Sequence, residues 1–309
     1  MFPDNLLSIE DLSVPAMEEI FQRAAFYKAG DRGKIYSALK GKNIVIAFWE
    51  PSTRTRVSFE LAVRRLGGSV LDLRPDHNSE KKGESLEDTL KTLEALGADA
   101  LIFRHGQPGL FGKLGQLIDI PLISGGEGCY QHPTQALLDV FTLMEEEVAL
   151  SGLEVVIVGD ILHSRVARSH FYALPAFGAR ITLAGPPAFL SAELAYPNFD
   201  YTYCFDEALP RSDVLYLLRM QRERHRHLFP AASAYAALYG LNIKRLASLK
   251  RIPFVMHPGP VNLGMEMDLG ALHLLEKTYP DKVLIHKQIQ NGVYVRMAVL
   301  DLLISERVV

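Results

Sequence analysis

Residues 48–56 read Phe-Trp-Glu-Pro-Ser-Thr-Arg-Thr-Arg and group hydroxyls and guanidinium groups more densely than any other segment. The apolar run Ile44-Val45-Ile46-Ala47-Phe48-Trp49 stops at Pro51, and an amphipathic stretch through Val57, Phe59, Leu61, Ala62, Val63 and Leu66 follows. That pattern is strand, sharp turn, helix. The first turn of a helix holds backbone N–H groups without intrahelical partners, and its dipole favours an anion. Ser52, Thr53 and Thr55 add hydroxyl donors, and Arg54 adds a forked cation. A phosphate suits such a cradle. The competing reading is that Ser52 or Thr53 only caps the helix and the arginines are solvated.

Five other segments could carry chemistry, and each, taken alone, could equally be structural or solvated. Gln131-His132-Pro133-Thr134-Gln135 follows a glycine-rich turn, Gly125-Gly126-Glu127-Gly128, and opens a helix whose first turn suits proline. His132 and Gln135, three apart, face one side and suit donation to a carbonyl oxygen that gains negative charge. Val158-Gly159-Asp160-Ile161-Leu162-His163-Ser164-Arg165 starts like a dinucleotide-binding unit. Ile161 and Ser164 stand where that fingerprint wants further glycines, so a nicotinamide cofactor is disfavoured. Arg165 instead begins a helix, ready to meet an anion. In Leu218-Arg219-Met220-Gln221-Arg222-Glu223-Arg224-His225-Arg226-His227, an arginine and a glutamine two apart after a strand fit a small carboxylate. The loop Asn78-Ser79-Glu80-Lys81-Lys82-Gly83-Glu84-Ser85 could close over a phosphate and exclude water. In Met256-His257-Pro258-Gly259-Pro260-Val261-Asn262, two prolines around a glycine make a rigid turn able to present carbonyls.

The rest of the chain narrows the classes. It has 309 residues, 48% hydrophobic and 22% charged, enough for two cores of ordinary size. A net charge of −3, and a basic run without interleaved aromatics, argue against nucleic acid. No apolar stretch reaches the roughly 18–20 residues needed to span a bilayer, and the start lacks a signal-peptide pattern. Cys129 and Cys204 make no disulfide framework, so a reducing cytoplasm is the expected setting. The ten histidines contain no supported metal-ligand spacing, and neither cysteine has a CxxC partner. Neither a Walker P-loop nor a Gly-x-Ser-x-Gly elbow is present. The expectation is therefore no metal and no cofactor.

The positioning elements follow from periodicity. Strands are expected at 43–48, 69–73, 99–104, 121–124, 154–159, 180–185, 213–218 and 253–256, and helices at 53–66, 85–96, 134–147 and 164–177. Runs such as Val155-Val156-Ile157-Val158 are apolar on both faces, as strands between two helix layers must be. Repeated β-α units imply α/β architecture with a parallel sheet covered on both sides. Ligands in such folds lie beyond the carboxyl ends of the strands, where every segment singled out above falls. A boundary is expected near 134–152, where Glu145-Glu146-Glu147 ends a helix and Ser151-Gly152 precedes a new βαβ unit.

Taken together, these segments resemble the transcarbamoylases, the aspartate/ornithine carbamoyltransferase family, over about Asn43 to Leu303. Ser52-Thr53-Arg54-Thr55 is similar to the family's carbamoyl-phosphate signature. Lys82-Gly83-Glu84, the Arg219–Arg224 run and His257-Pro258-Gly259-Pro260 resemble the aspartate-using branch. The ornithine branch's His-Cys-Leu-Pro segment and Asp…Ser-Met-Gly loop do not appear. The resemblance implies two doubly wound parallel-sheet domains with the active site in the cleft between them. It places a carbamoyl-phosphate domain at 1–133 plus 291–309 and an aspartate domain at 134–290. A C-terminal helix, about Asn291 to Ser305, would cross back to the first domain.

The implied reaction moves the carbamoyl group of carbamoyl phosphate to the amine of L-aspartate, giving N-carbamoyl-L-aspartate and phosphate, a step of pyrimidine biosynthesis. By resemblance, Ser52, Thr53, Arg54, Thr55 and Arg104 hold the phosphate. Thr55, Arg104 and His132 polarise the carbamoyl oxygen, and Gln135 with the Pro258 and Gly259 carbonyls binds its amino group. Arg165 and Arg219 pair with the aspartate carboxylates beside Gln221. Lys82 reaches into a neighbouring subunit's site, which implies a homotrimer; a larger assembly with regulatory chains or dihydroorotase stays open. Asn78-Ser79 replaces the family's paired serines, Leu263 stands where arginine is frequent, and Glu127 replaces aspartate. A transcarbamoylase using a different amine and a non-catalytic paralogue are the competing readings; the Arg165, Arg219 and Gln221 set favours a dicarboxylate acceptor.

Overall fold

The computed structural model describes residues 2–30, 33–73, 85–190, 199–220 and 232–305. The chain divides into two compact units, residues 1–141 with 290–309, and residues 142–289. Among the described residues the strands form two sheets, every pairing in them parallel.

The first unit holds β1 (Asn43–Phe48), β2 (Ser69–Leu73), β3 (Ala100–His105) and β4 (Leu122–Glu127), in the order β2-β1-β3-β4. Its helices include α1 (Val14–Ala29), α2 (Thr53–Arg65), α3 (Leu86–Ala95) and most of α4 (Pro133–Met144). Phe59, Ala62 and Val63 recur at three- and four-residue spacing on α2 and are buried, which is the apolar stripe that docks a helix on a sheet. Gly67 ends that helix at φ 81°, and a Cβ there would lie 2.6 Å from the Tyr36 carbonyl oxygen, so glycine alone fits. Val45, Ala47, Leu101, Phe103 and Leu122 form one sheet face over Leu90, Phe111 and Leu114.

The second unit holds β5 (Glu154–Val158), β6 (Arg180–Ala184), β7 (Asp200–Thr202), β8 (Val214–Leu217) and β9 (Phe254–Met256), in the order β7-β6-β5-β8-β9. Helices α5 (Arg165–Ala176), α6 (Ala232–Tyr239), α7 (Ile243–Ser248) and α8 (Leu269–Thr278) accompany it. The last helix, α9 (Ile285–Ile304), starts in this unit and belongs to the first from Gln290 onward. There it packs on α1: Asp301 accepts from the Tyr27 hydroxyl at 2.6 Å and pairs with Arg23 at 2.5 Å, while Lys28 donates to Asn291 at 2.8 Å.

The α/β reading and each expected strand are present, with shifts of a residue or two at most ends. One difference is larger. The segment Gly125-Gly126-Glu127, read as part of a turn, continues β4, with a register irregularity against β3 between Phe103 and His105. Gly125 is there for space, since a Cβ on it would lie 2.9 Å from the Phe48 ring, and Gly126 adopts φ 118°. Among the described residues, no helix is long and apolar enough to cross a membrane.

Candidate active site

In a doubly wound sheet, the gap for a ligand opens where successive connections leave in opposite directions. In the first unit that point lies between β1 and β3, because β2 is on one side of β1 and β3 on the other. Phe48 pairs in register with Arg104 there, and the Trp49 N–H donates to the Arg104 carbonyl at 2.8 Å. Thus the cradle after β1 and the arginine ending β3 emerge side by side.

Ser52 occupies the N-cap position of α2 but makes no side-chain cap bond. Its hydroxyl instead donates to the buried Thr55 hydroxyl at 3.0 Å. Capping by Ser52 is therefore excluded, and the two hydroxyls stand together at the helix start, where the dipole is positive. Thr53 and Arg54 are exposed. Arg56 is committed elsewhere, to Asp72 at 3.1 Å and Glu60 at 3.8 Å. Arg104 is buried, donates to the Gly125 carbonyl at 3.0 Å and lies 3.3 Å from the Glu50 carboxylate. Two contacts on one planar guanidinium fix its direction.

The strand next to β3 delivers the third piece. Glu127 N–H donates to the Gln131 carbonyl at 2.9 Å, turning the chain so that His132 immediately precedes α4. The buried Glu127 carboxylate accepts the Leu110 and Phe111 N–H groups, and burial raises its pKa above the usual value. His132 is buried, and its carbonyl accepts from the Gln135 and Ala136 N–H groups. The Gln135 amide nitrogen donates to Asp139 at 3.2 Å, which leaves its oxygen as the acceptor available to a ligand's N–H. Asp139 is itself fully buried near Arg296, whose guanidinium is pushed down to about 10 by burial, with Asp139 opposing the shift. Arg296 lies over the Phe59 ring at 5.0 Å, so the support of Gln135 connects to the helix bearing the cradle.

In the second unit the corresponding point lies between β5 and β8, where the Leu218 N–H donates to the Val158 carbonyl at 2.8 Å. After β5, Gly159 turns at φ 128°, and buried Asp160 accepts from the His163 N–H at 3.2 Å and contacts its Nδ1 at 2.8 Å. Ser164 then caps α5 through the Ala167 N–H at 3.1 Å, which sets buried Arg165 as its first residue. Arg219 lies two residues beyond the end of β8 and is half-buried. β9 pairs with β8 and ends at the His257-Pro258-Gly259-Pro260 turn, where the Gly259 N–H donates to His257 Nδ1 at 2.7 Å.

The residues expected from sequence thus fall into two groups. Ser52, Thr53, Arg54, Thr55, Arg104, His132 and Gln135 follow adjacent strands of the first unit; Arg165, Arg219, Pro258 and Gly259 follow adjacent strands of the second. Lys82 and Gln221 lie outside the described residues, as do Asn78 and Ser79. Leu263 is exposed. Sequence reasoning assigned no role to Glu50, Asp139 or Glu266. A carboxylate beside an anion cradle looks adverse until its pairing with Arg104 is seen, and Asp139 had one usable signal, its four-residue spacing from Gln135.

Among known proteins, the model of the aspartate/ornithine carbamoyltransferase carbamoyl-P binding domain matches residues 4–145, and that of the Asp/Orn binding domain matches residues 151–303. The chain is 44% identical to the aspartate carbamoyltransferase catalytic subunit of Desulforudis audaxviator, over 98% of each chain. Its identity to the Moorella thermoacetica catalytic subunit is 43%, over 97% of each. Its fold is similar to the catalytic subunit of M. jannaschii aspartate transcarbamoylase, with a TM-score of 0.85 and 30% identity, over 99% of both chains. Trypanosoma cruzi aspartate transcarbamoylase in complex with carbamoyl phosphate and aspartate gives a TM-score of 0.83 and 28% identity, over 96% of this chain and 95% of that one. With both domain models matched along the chain and a relative 44% identical over nearly its whole length, the chain belongs to the aspartate/ornithine carbamoyltransferase family.

Proposed function

We propose that this protein transfers the carbamoyl group of carbamoyl phosphate to the amine of L-aspartate, releasing N-carbamoyl-L-aspartate and phosphate, as an enzyme of pyrimidine biosynthesis in the cytoplasm. The observation that carries this is the pairing of two anion-facing strand ends: Ser52–Thr55 with Arg104 in one unit, Arg165 with Arg219 in the other. One such end would bind a phosphate; two, on separate sheets, suit two anionic substrates. The relatives' names and the ligands of the Trypanosoma cruzi structures support the same pair of substrates.

The chemistry asks little of the side chains beyond charge and position. A C–N bond forms as the aspartate amine attacks the carbamoyl carbon, and the C–O bond to phosphate then breaks. The amine sheds a proton, and the departing phosphate is a basic group placed to take it. Thr55, Arg104 and His132 would meet the carbonyl oxygen as it becomes an oxyanion, and one such donor is worth about 3–4 kcal/mol in comparable sites. Gln135 and the Pro258 and Gly259 carbonyls would accept from the carbamoyl amino group. Ser52, Thr53 and Arg54 would hold the leaving phosphate. Bringing two dianions together demands cations, and Lys82 of a neighbouring subunit would supply another in a shared site of a homotrimer.

A single molecule carrying both anionic ends tests this arrangement. N-(phosphonacetyl)-L-aspartic acid is the ligand of one Trypanosoma cruzi structure. Titration calorimetry should show that it binds this protein, and that Arg54→Ala and Arg219→Ala each weaken binding at least about 100-fold. Wild-type affinity in either variant would contradict the assignment of that half.

A further inference from the structure

We infer that Glu266 is a positioning residue that locks the Arg219 segment and the Pro258-Gly259 turn to each other through one carboxylate. The inference rests on the carbamoyl-transfer reading, since it concerns how that site's second half is held. Glu266 follows no strand end and would not touch a substrate. It is buried, yet it is surrounded by donors. Oε1 accepts the Met220 N–H at 2.8 Å and the Asn262 amide at 2.6 Å, and Oε2 accepts the Asn262 N–H at 2.5 Å. His257 Nε2 lies 3.4 Å from Oε2. Because His257 Nδ1 accepts the Gly259 N–H, a neutral His257 carries its proton on Nε2, facing the carboxylate.

The consequence is geometric. One oxygen fixes the residue after Arg219. The other fixes the turn whose carbonyls would bind the carbamoyl amino group through the Asn262 N–H, and the imidazole that holds Gly259 lies beside it. The Gln288 amide oxygen, accepting the His257 N–H at 3.1 Å, anchors the same imidazole-bearing residue from α9. A buried carboxylate with this many donors is a strong joint, because each bond to a charged acceptor is stronger than a neutral one. It also has no neutral substitute: a glutamine would present an amide N–H₂ where two donors already point.

The test is Glu266→Gln in the full-length protein, with Glu266→Asp as a second variant that keeps the charge and withdraws it. In Glu266→Gln, the aspartate KM should rise about tenfold or more, kcat should fall, and the Kd of carbamoyl phosphate should rise by a smaller factor, since only its amino group meets the turn. Glu266→Asp should fall between wild type and Glu266→Gln, and decides the matter alone if Glu266→Gln fails to fold. Amide exchange at Met220, Asn262 and Gly259 should accelerate in either variant without change in β5 or β6. Unchanged exchange at those amides, or a lowered Tm with unchanged aspartate KM, would overturn the inference. The exchange measurement stands even if the wild-type protein does not turn over carbamoyl phosphate and aspartate, which would defeat the functional reading instead.

Discussion

Arg104 shows how much one side chain can carry. It ends a central strand, reaches across to the Gly125 carbonyl and pairs with Glu50, so it is a brace as well as a cation. Arg104→Ala should therefore do two things. Turnover should drop about 10²–10³-fold through loss of a preorganised donor. Stability should fall by about 1–3 kcal/mol, because a buried carbonyl and a carboxylate lose their partner. Steady-state kinetics beside urea unfolding separates the two losses, and normal kcat in a destabilised variant would leave Arg104 a purely structural residue. At this scale the sequence was legible where function clusters locally. Ser52 to Thr55 sit within one turn and follow a clean strand pattern. Glu266 was illegible because its partner Met220 lies 46 positions away, and no local pattern announces such a contact.

Secondary elements were legible in proportion to how fully they are buried. β1, β3, β5 and β8 are interior strands whose two faces are apolar because helices cover both sides of a parallel sheet, and all were expected from the sequence. β7 went unread: it is an edge strand of three residues, Asp200–Thr202, with none of them buried. The extension of β4 went unread because glycines usually signal turns, whereas here the Phe48 ring leaves room for nothing larger. Helix α1 was readable after the fact, with Met17, Ile20, Phe21, Ala24 and Tyr27 on one face.

Arg245 gives a prediction at this level. Its guanidinium holds Asp206 bidentately and donates to the Ala237, Leu238 and Gly240 carbonyls, closing the C-terminal end of α6. Arg245→Ala should cost about 3 kcal/mol at neutral pH by urea unfolding, with the slope unchanged. The hydrogen bond to Arg245 holds the Asp206 carboxyl below its ordinary 3.8. A depressed folded pKa gives stability that is full above the unfolded value and lost as pH falls through the folded one. The gap between wild type and variant should hence narrow below pH 3.8. A gap that is constant down to pH 2 would place the stabilisation in the carbonyl bonds alone.

At the scale of the molecule, the chain holds two parallel sheets, each with one point where successive connections diverge, and the parallel architecture was its most legible feature. Repeated β-α units implied parallel pairing, the boundary expected near 134–152 and the family resemblance implied the division in two, and strand order then located both points without reference to any ligand. The proposed trimer makes a separate claim, that each site borrows Lys82 from a neighbour. Lys82→Ala and Arg54→Ala subunits, inactive apart, should recover part of the wild-type activity after mixing and exchange. No recovery after subunit exchange demonstrated by mass would mean that each site is complete within one chain.

The central claim is that this protein joins a carbamoyl group to a dicarboxylate amine. The measurement that addresses it most directly is product formation from carbamoyl phosphate with L-aspartate and, in parallel, with L-ornithine. The arrangement of Arg165 and Arg219 predicts N-carbamoyl-L-aspartate with the first and no citrulline with the second. Citrulline formation without N-carbamoyl-L-aspartate would contradict it.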